Sequence, residues 1–283
     1  MYLITGAKGQ LGCCLSDILT ARNTQSWFCD INEMDITDFS SVEKYVEGKS
    51  FSAIINCAAY TNVDASEDEK EKAYAINAVG AANLAKLASI KKVPLIHIST
   101  DYVFGGKTEE KPLAENDNTN PLGVYGQTKL DGENEIKKYA DTFAIVRTAW
   151  LYSEHGNNFL KTVLRLAKEK PEIKIVSDQI GTPTYAGDLA EAILEIAEKI
   201  KAGAKEIYHF SNEGVCSWYD FAAEIVKEAG LNIKVLPIKT HEYPTKAKRP
   251  AYSVLDKSKI KKDFNLKIED WAMGVKKCLK RLS

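Results

Sequence analysis

The chain opens on Tyr2-Leu3-Ile4-Thr5, an apolar run of strand length that ends abruptly at Gly6. Similar short runs recur at 27–29, 53–59, 93–99 and 143–147, and the stretches between them carry a helical spacing of apolar positions. That spacing predicts helices over 10–21, 39–46 and 67–89, and one around Tyr125. The third of these opens on Ser66-Glu67-Asp68-Glu69, read as an N-cap followed by an acidic first turn that favours the positive end of the helix dipole. Strand and helix patterns that alternate in this way predict an α/β protein with a doubly wound parallel sheet.

Beyond Trp150 the rhythm loosens. A loop at 153–158 precedes an amphipathic helix over 158–169 and an extended stretch at 171–176, and a helix over 188–199 with a strand at 207–211 looks like a return to the sheet. Pro237, Pro244 and Pro250 then punctuate a stretch without a long periodic run until a helix over 271–281. The pattern predicts a dinucleotide-binding domain from 1–150 and 183–213, and a smaller substrate-binding lobe from 151–182 and 214–283. In such folds the ligands lie at the carboxyl ends of the strands, where a second lobe can close over them.

Three residues spaced G-x-x-G-x-x-G, Gly6, Gly9 and Gly12, follow the first strand directly and open the first helix. Glycine lets the backbone turn sharply and approach a pyrophosphate, whose charge rests on the unpaired N–H groups of a helix N-terminus. Asp30 stands 18 residues beyond Gly12, at the end of the second strand. A carboxylate there accepts from an adenosine ribose and repels a 2′-phosphate, which favours NADH over NADPH; Asp30-Ile31-Asn32 also reads as an Asp that begins a turn. Further on, Tyr125 and Lys129 share one helix face, and Ser99-Thr100-Asp101 precedes them. A phenol with a pKa of about 10 gains reactivity when a fixed cation lowers that value, although a tyrosine over an aliphatic lysine stem is also ordinary helix packing.

Charge excludes some partners. Lys plus Arg number 38 against 39 Asp plus Glu, a formal net charge of -1, so nothing draws the chain as a whole to nucleic acid or to an anionic membrane. No apolar run approaches the roughly 20 residues of a membrane span, and the first strand starts without a basic leader. The six cysteines include no C-x-x-C pair and suit reduced thiols, and the four histidines are scattered, so no metal site is signalled. These features together predict a cytoplasmic protein with a small-molecule partner.

Gly6/Gly9/Gly12, Asn56-Cys57-Ala58-Ala59, Ser99-Thr100-Asp101-Tyr102-Val103-Phe104 and Tyr125-Gly126-Gln127-Thr128-Lys129 resemble the extended short-chain dehydrogenase/reductase superfamily. Arg147-Thr148-Ala149-Trp150, Gly156-Asn157-Asn158-Phe159, 178–184 and Arg249-Pro250-Ala251-Tyr252-Ser253 narrow the resemblance, over nearly the whole chain, to its dTDP-4-dehydrorhamnose reductase family. The resemblance implies a Rossmann-like fold and NADH or NADPH as cofactor, with NADH slightly favoured. The implied partner is a nucleotide-sugar whose C4 ketone is reduced, and the implied assembly is a monomer or homodimer. Thr100, Tyr125 and Lys129 would be catalytic. Gly6, Gly9, Gln10, Leu11, Gly12, Asp30, Asp35, Ile36, Cys57, Ala58, Ala59, Tyr60, Asn77, Ser99, Tyr125 and Lys129 would hold the cofactor, and Thr61, Val63, Thr100, Asp101, Tyr125 and Trp150 the substrate.

Where members of that family place a magnesium-binding glutamate, just after the third glycine, this chain has Cys13 and Cys14. A thiol suits a hard oxygen-seeking cation poorly, so no metal is expected. Within the superfamily the competing activities are another nucleotide-sugar 4-ketoreductase, a 4,6-dehydratase and an epimerase; a non-catalytic dinucleotide-binding regulator is a further alternative. Dehydratases of the superfamily carry an acid after Thr-Asp, and here that position is Tyr102, which favours simple reduction.

Overall fold

A computed structural model describes residues 1–105 and 111–282 of the 283; the parts of segments 1–150 and 214–283 that fall on 106–110 and 283 lie outside the described residues. Its centre is a six-stranded parallel sheet of β1 (Tyr2–Thr5), β2 (Trp27–Cys29), β3 (Ala53–Asn56), β4 (Leu95–Thr100), β5 (Phe143–Thr148) and β10 (Lys205–His209). The spatial order is β10-β5-β4-β3-β1-β2. The chain leaves β1 towards β2 on one side and returns to β3 on the other, so the order reverses between β1 and β3. That reversal opens a crevice at the strand ends, as is general for open α/β sheets.

The connections are helices on both faces. α1 (Gln10–Ala21) and α7 (Ala186–Lys199) join the core cluster built on Ile4, Ile55 and Ile96. The opposite face, built on Leu3, Ile54 and Leu95, packs against α2 (Phe39–Val46), α4 (Gly80–Lys91) and α5 (Val124–Tyr139). A third cluster, around Tyr152, Leu160, Phe221 and Val275, binds α6 (Phe159–Glu169), α8 (Trp218–Glu228) and α10 (Trp271–Leu282). Short pairs complete that region: β7 (Glu172–Val176) with β12 (Lys234–Ile238), β8 (Ile180–Gly181) with β11 (Cys216–Ser217), and β6 (Leu151–Tyr152) with β9 (Thr184–Tyr185). α9 (Ser258–Phe264) runs back beside β10.

Three departures from the sequence pattern have physical reasons. The run at 53–59 pairs only as far as Asn56, because Asn56 Oδ1 takes the amide of Ala58 and turns the small residues out of the sheet. The helix expected over 67–89 is a 3₁₀ turn at Ala65–Glu67, then α3 (Lys70–Tyr74), a π turn at Ala75–Val79 and α4. Glu67 belongs to no α-helical first turn; its Oε1 accepts from Val124 N at 2.9 Å and so caps α5 instead. α8 lies where no helix was expected. Ser217 and Asp220 close a reciprocal capping box at its start, and Phe221, Ala222, Ile225 and Val226 bury one face.

Candidate active site

The crevice between β1 and β3 continues across the ends of β4 and β5 as one cavity of about 970 Å³. Its floor is the turn after β1. Gly6 has φ +64°, and a Cβ there would meet Ala58 N at 2.6 Å, so both the conformation and the close approach require glycine. Gly9 caps α1 with no side-chain hydrogen bond, and the first turn holds no acidic residue. The leading N–H groups of α1 therefore face the cavity with the positive end of the helix, an arrangement that fits a pyrophosphate. Gln10 Oε1 accepts from Ser153 Oγ at 3.1 Å and Asn158 Nδ2 at 2.9 Å, which draws the Gly156-Asn157-Asn158 loop over the same floor.

At one end of the cavity stand Asp30, Asp35 and Ile36. Asp30 does begin a turn, accepting on its carbonyl from Glu33 N and Met34 N. Its carboxylate also ties β2 to the glycine turn, with Oδ2 accepting from Lys8 N at 3.0 Å and Oδ1 from Ile31 N at 2.9 Å. The turn reading of Asp30 is therefore met, with the carboxylate placed at the edge of the cavity.

At the other end α5 lies against the segment after β4 so closely that a Cβ on Gly126 would meet Tyr102 O at 2.2 Å. This contact sets Tyr125 beside the Thr100-Asp101 pair, with the Tyr125 and Tyr102 rings edge to face at 5.4 Å. Thr100 Oγ1 accepts from Tyr102 N at 3.2 Å and donates to Asp101 Oδ1 at 3.0 Å. Asp101 is buried, its Oδ2 has no hydrogen-bond partner among the described residues, and burial raises its pKa to about 6.

Lys129 is not among the groups that shift the Tyr125 pKa. Burial pushes the phenol up to about 12, with the Thr100 hydroxyl pulling the other way. Lys129 Nζ instead donates to Ile98 O at 2.7 Å and lies 3.3 Å from His97 Nε2, and burial draws its own pKa down to about 8. Equal spacing on a helix face places two residues side by side, but it does not decide which neighbour an ammonium chooses.

Of the residues picked out from the sequence, Gly6, Gly9, Gln10, Leu11, Gly12, Cys57, Ala58, Ala59, Thr61, Val63, Ser99, Thr100, Asp101, Tyr125, Lys129 and Trp150 line the cavity with the three at the far end. Tyr60 and Asn77 do not. Asn77 is buried in the π turn, where its side chain takes Tyr60 N at 2.8 Å and gives to Tyr60 O and Thr128 Oγ1, pinning the 57–63 loop to α5. Trp150 sits at φ +48° with its indole stacked on Trp218 at 3.7 Å. Arg249 adds a clasp that sequence reasoning missed, its guanidinium forking onto both oxygens of Asp64 at 3.1 and 2.8 Å.

Residues 1–283 match the RmlD substrate binding domain family. A dTDP-4-dehydrorhamnose reductase of Aggregatibacter actinomycetemcomitans is 43% identical over 285 residues, covering 97% of this chain and 96% of its own. The chain belongs to the dTDP-4-dehydrorhamnose reductase family. The family member of that name from Escherichia coli K12 is 40% identical, with 99% of this chain and 97% of the relative covered. Among solved members, a dTDP-4-dehydrorhamnose reductase of Bacillus anthracis in complex with NADP superposes at a TM-score of 0.94, with 40% identity and 99% and 98% of the two chains covered. One from Clostridium acetobutylicum also superposes at 0.94, with 42% identity and 99% of each chain.

The fold brings Cys14, Glu154 and His155 together with potential ligand atoms within 4.8 Å of one another, a proximity hidden by 140 residues of sequence separation. Their partners are already assigned. Glu154 holds Arg281 at 2.9 Å and the Tyr185 hydroxyl at 3.1 Å, and His155 Nε2 meets Asp17 at 2.9 Å. A guanidinium bonded to Glu154 opposes a bound cation, and desolvation pushes the Cys14 thiol well above its usual pKa.

Proposed function

We propose that this family member reduces the C4 ketone of dTDP-4-dehydro-L-rhamnose to dTDP-L-rhamnose with NADH or NADPH. The observation that carries the reading is the convergence of Thr100, Tyr125 and Lys129 on one wall of the cavity whose floor is the open N-terminus of α1. When bound, the dinucleotide supplies a hydride from its nicotinamide. Every other requirement falls on the chain. The glycine turn takes the pyrophosphate, and Asp30 favours an unphosphorylated ribose, so that NADH serves at least as well as NADPH. Lys129 grips the nicotinamide ribose.

Thr100 turns its hydroxyl from Asp101 to the ketone oxygen, and Tyr125 donates its proton as that oxygen becomes an alkoxide. A phenol held near 12 stays protonated at neutral pH, which is the state a proton donor needs. Asp101 and Trp150 meet the sugar from the lobe side, Trp150 presenting a flat apolar face. In this reading segments 1–150 and 183–213 hold the dinucleotide, while 151–182 and 214–283 close over the nucleotide-sugar. Six free cysteines and a chain in which no described helix is long and apolar enough to cross a membrane fit a cytoplasmic setting.

The test follows NADH or NADPH loss against formation of the 4-hydroxy product from several nucleotide-4-keto-6-deoxyhexoses. One cofactor consumed per sugar reduced supports the reading; dehydration or epimerisation without net cofactor change overturns it. Tyr125→Phe lowers kcat by about a hundredfold or more while leaving cofactor binding intact. Turnover at the wild-type rate in that variant removes Tyr125 as the donor.

A further inference from the structure

Behind the Tyr125 and Lys129 side chains the sheet carries a buried polar row. Parallel pairing sets Thr5 of β1 level with Asn56 of β3, and Asn56 level with His97 of β4. Each is only 1% exposed, in the middle of a sheet where such positions are ordinarily apolar. Their polar atoms find one another. Thr5 Oγ1 donates to Asn56 Oδ1 at 2.7 Å, Asn56 Nδ2 meets His97 Nδ1 at 2.9 Å, and His97 Nε2 stands 3.3 Å from Lys129 Nζ.

The direction of the row follows from one group that has no choice. The Ala58 N–H can only donate, and it points at Asn56 Oδ1 at 3.1 Å. The NH₂ of Asn56 must then face His97, so His97 Nδ1 accepts. A neutral imidazole that accepts at Nδ1 carries its proton on Nε2, and that proton points at Lys129 Nζ. An ammonium offers three donors and no lone pair, so it would meet the Nε2–H donor to donor. An uncharged amine accepts from Nε2–H and still donates to Ile98 O at 2.7 Å. We propose that His97 is a positioning residue that stabilises the uncharged form of Lys129, a hydrogen-bond acceptor, against the ammonium. The Thr5–Asn56–His97 row thereby sets the pH at which Lys129 acquires its charge.

The other ionisable groups facing Lys129 are few. Cys57, after β3, is pushed up to about 12 by burial and stays a thiol. Tyr125, one turn earlier on α5, is likewise held neutral. Glu133, one turn later, favours the ammonium more than Cys57 does, and it is already engaged by Arg147 at 2.8 and 2.7 Å and by Ser99 at 2.6 Å. His97 itself is held well below its ordinary pKa, first by burial and then by Lys129 whenever that group is charged, so it remains neutral over the working range.

The kinetic consequence rests on the proposed reductase reading: if charged Lys129 assists Tyr125, kcat/KM falls as pH rises through the Lys129 pKa, and His97 sets where. The primary test needs no turnover. In ligand-free protein with ¹⁵N-labelled histidine, His97 is expected as the neutral Nε2–H tautomer above about pH 8, where Lys129 has lost its charge. A neutral Nδ1–H tautomer, or an imidazolium in that range, overturns the proposal. In ¹³C-lysine protein, His97→Gln places an amide oxygen within reach of Nζ, and the Lys129 pKa is expected to rise by about one unit or more, a tenfold change in proton affinity. An unchanged Lys129 titration in a folded variant also overturns it, and if that variant does not fold the wild-type tautomer decides alone. Because both signals are read without substrate, a failed reduction assay leaves them intact.

Discussion

The buried carboxylate of Asp101 leads to a measurable dependence of stability on pH. Its side chain is 2% exposed, and its pKa of about 6 stands above an ordinary value of 3.8 chiefly through burial, with the Ser253 and Thr100 hydroxyls only partly opposing. A folded-state pKa above the unfolded one means that the folded state binds the proton more tightly, so ionisation costs stability as pH rises from about 4 and the cost is complete somewhat above 6. A shift of roughly two units is worth about 3 kcal/mol, of which ~1.4 kcal/mol develops between about pH 5 and 8. Asp101→Asn removes this titration. Urea unfolding of both proteins across that window is therefore expected to show wild type losing about 1.4 kcal/mol relative to the variant as pH rises. Comparing the two slopes separates the effect from any fixed cost of the amide. A difference in stability that stays flat from about pH 5 to 8 would refute the assignment of an ionisable, uncompensated Asp101. The same variant should reduce its ketosugar poorly, since an unsatisfied carboxylate facing the cavity is most simply relieved by hydroxyl donors on a bound sugar.

Asp30→Ala removes the carboxylate proposed to repel a 2′-phosphate and is expected to raise the NADPH-to-NADH ratio of kcat/KM by about tenfold, or ~1.4 kcal/mol; an unchanged ratio contradicts the role. Arg147→Met strands the fully buried Glu133 carboxylate and is expected to cost about 3–5 kcal/mol in urea unfolding. A loss below about 1 kcal/mol would show that the Ser99 hydroxyl, at 2.6 Å, and Lys137 Nζ, at 3.9 Å, suffice to hold that charge. Excess chelator during assay and sedimentation is expected to change neither turnover nor quaternary state, because Arg281 already engages Glu154 of the Cys14–Glu154–His155 cluster. Activity lost to chelator and restored by magnesium would reveal a cation site assembled from other ligands.

What the sequence determined by itself is what depends on neighbours in the chain. The spans 10–21, 27–29 and 39–46 were readable because a strand, a glycine turn and an amphipathic helix are each specified within a few residues. The parallel α/β class followed from their alternation. α8 was readable too, since Ser217-x-x-Asp220 before a buried face is a local signal, but the prolines that follow it masked the short run. Tertiary structure decided the rest. Glu67 caps a helix that begins 57 residues later, and His155 meets Asp17 across 138 residues; no local pattern encodes either pairing. The site shows the same division. That Tyr125 and Lys129 share a helix face is a property of the helix, but what that face meets is a property of the sheet beneath it. Only the register of β1, β3 and β4 brings Thr5, Asn56 and His97 into one row ending at the lysine. Burial then sets the charges, and burial is a sum over the whole fold, which is why the sequence could put Tyr125 and Lys129 on one helix face but not fix their protonation states.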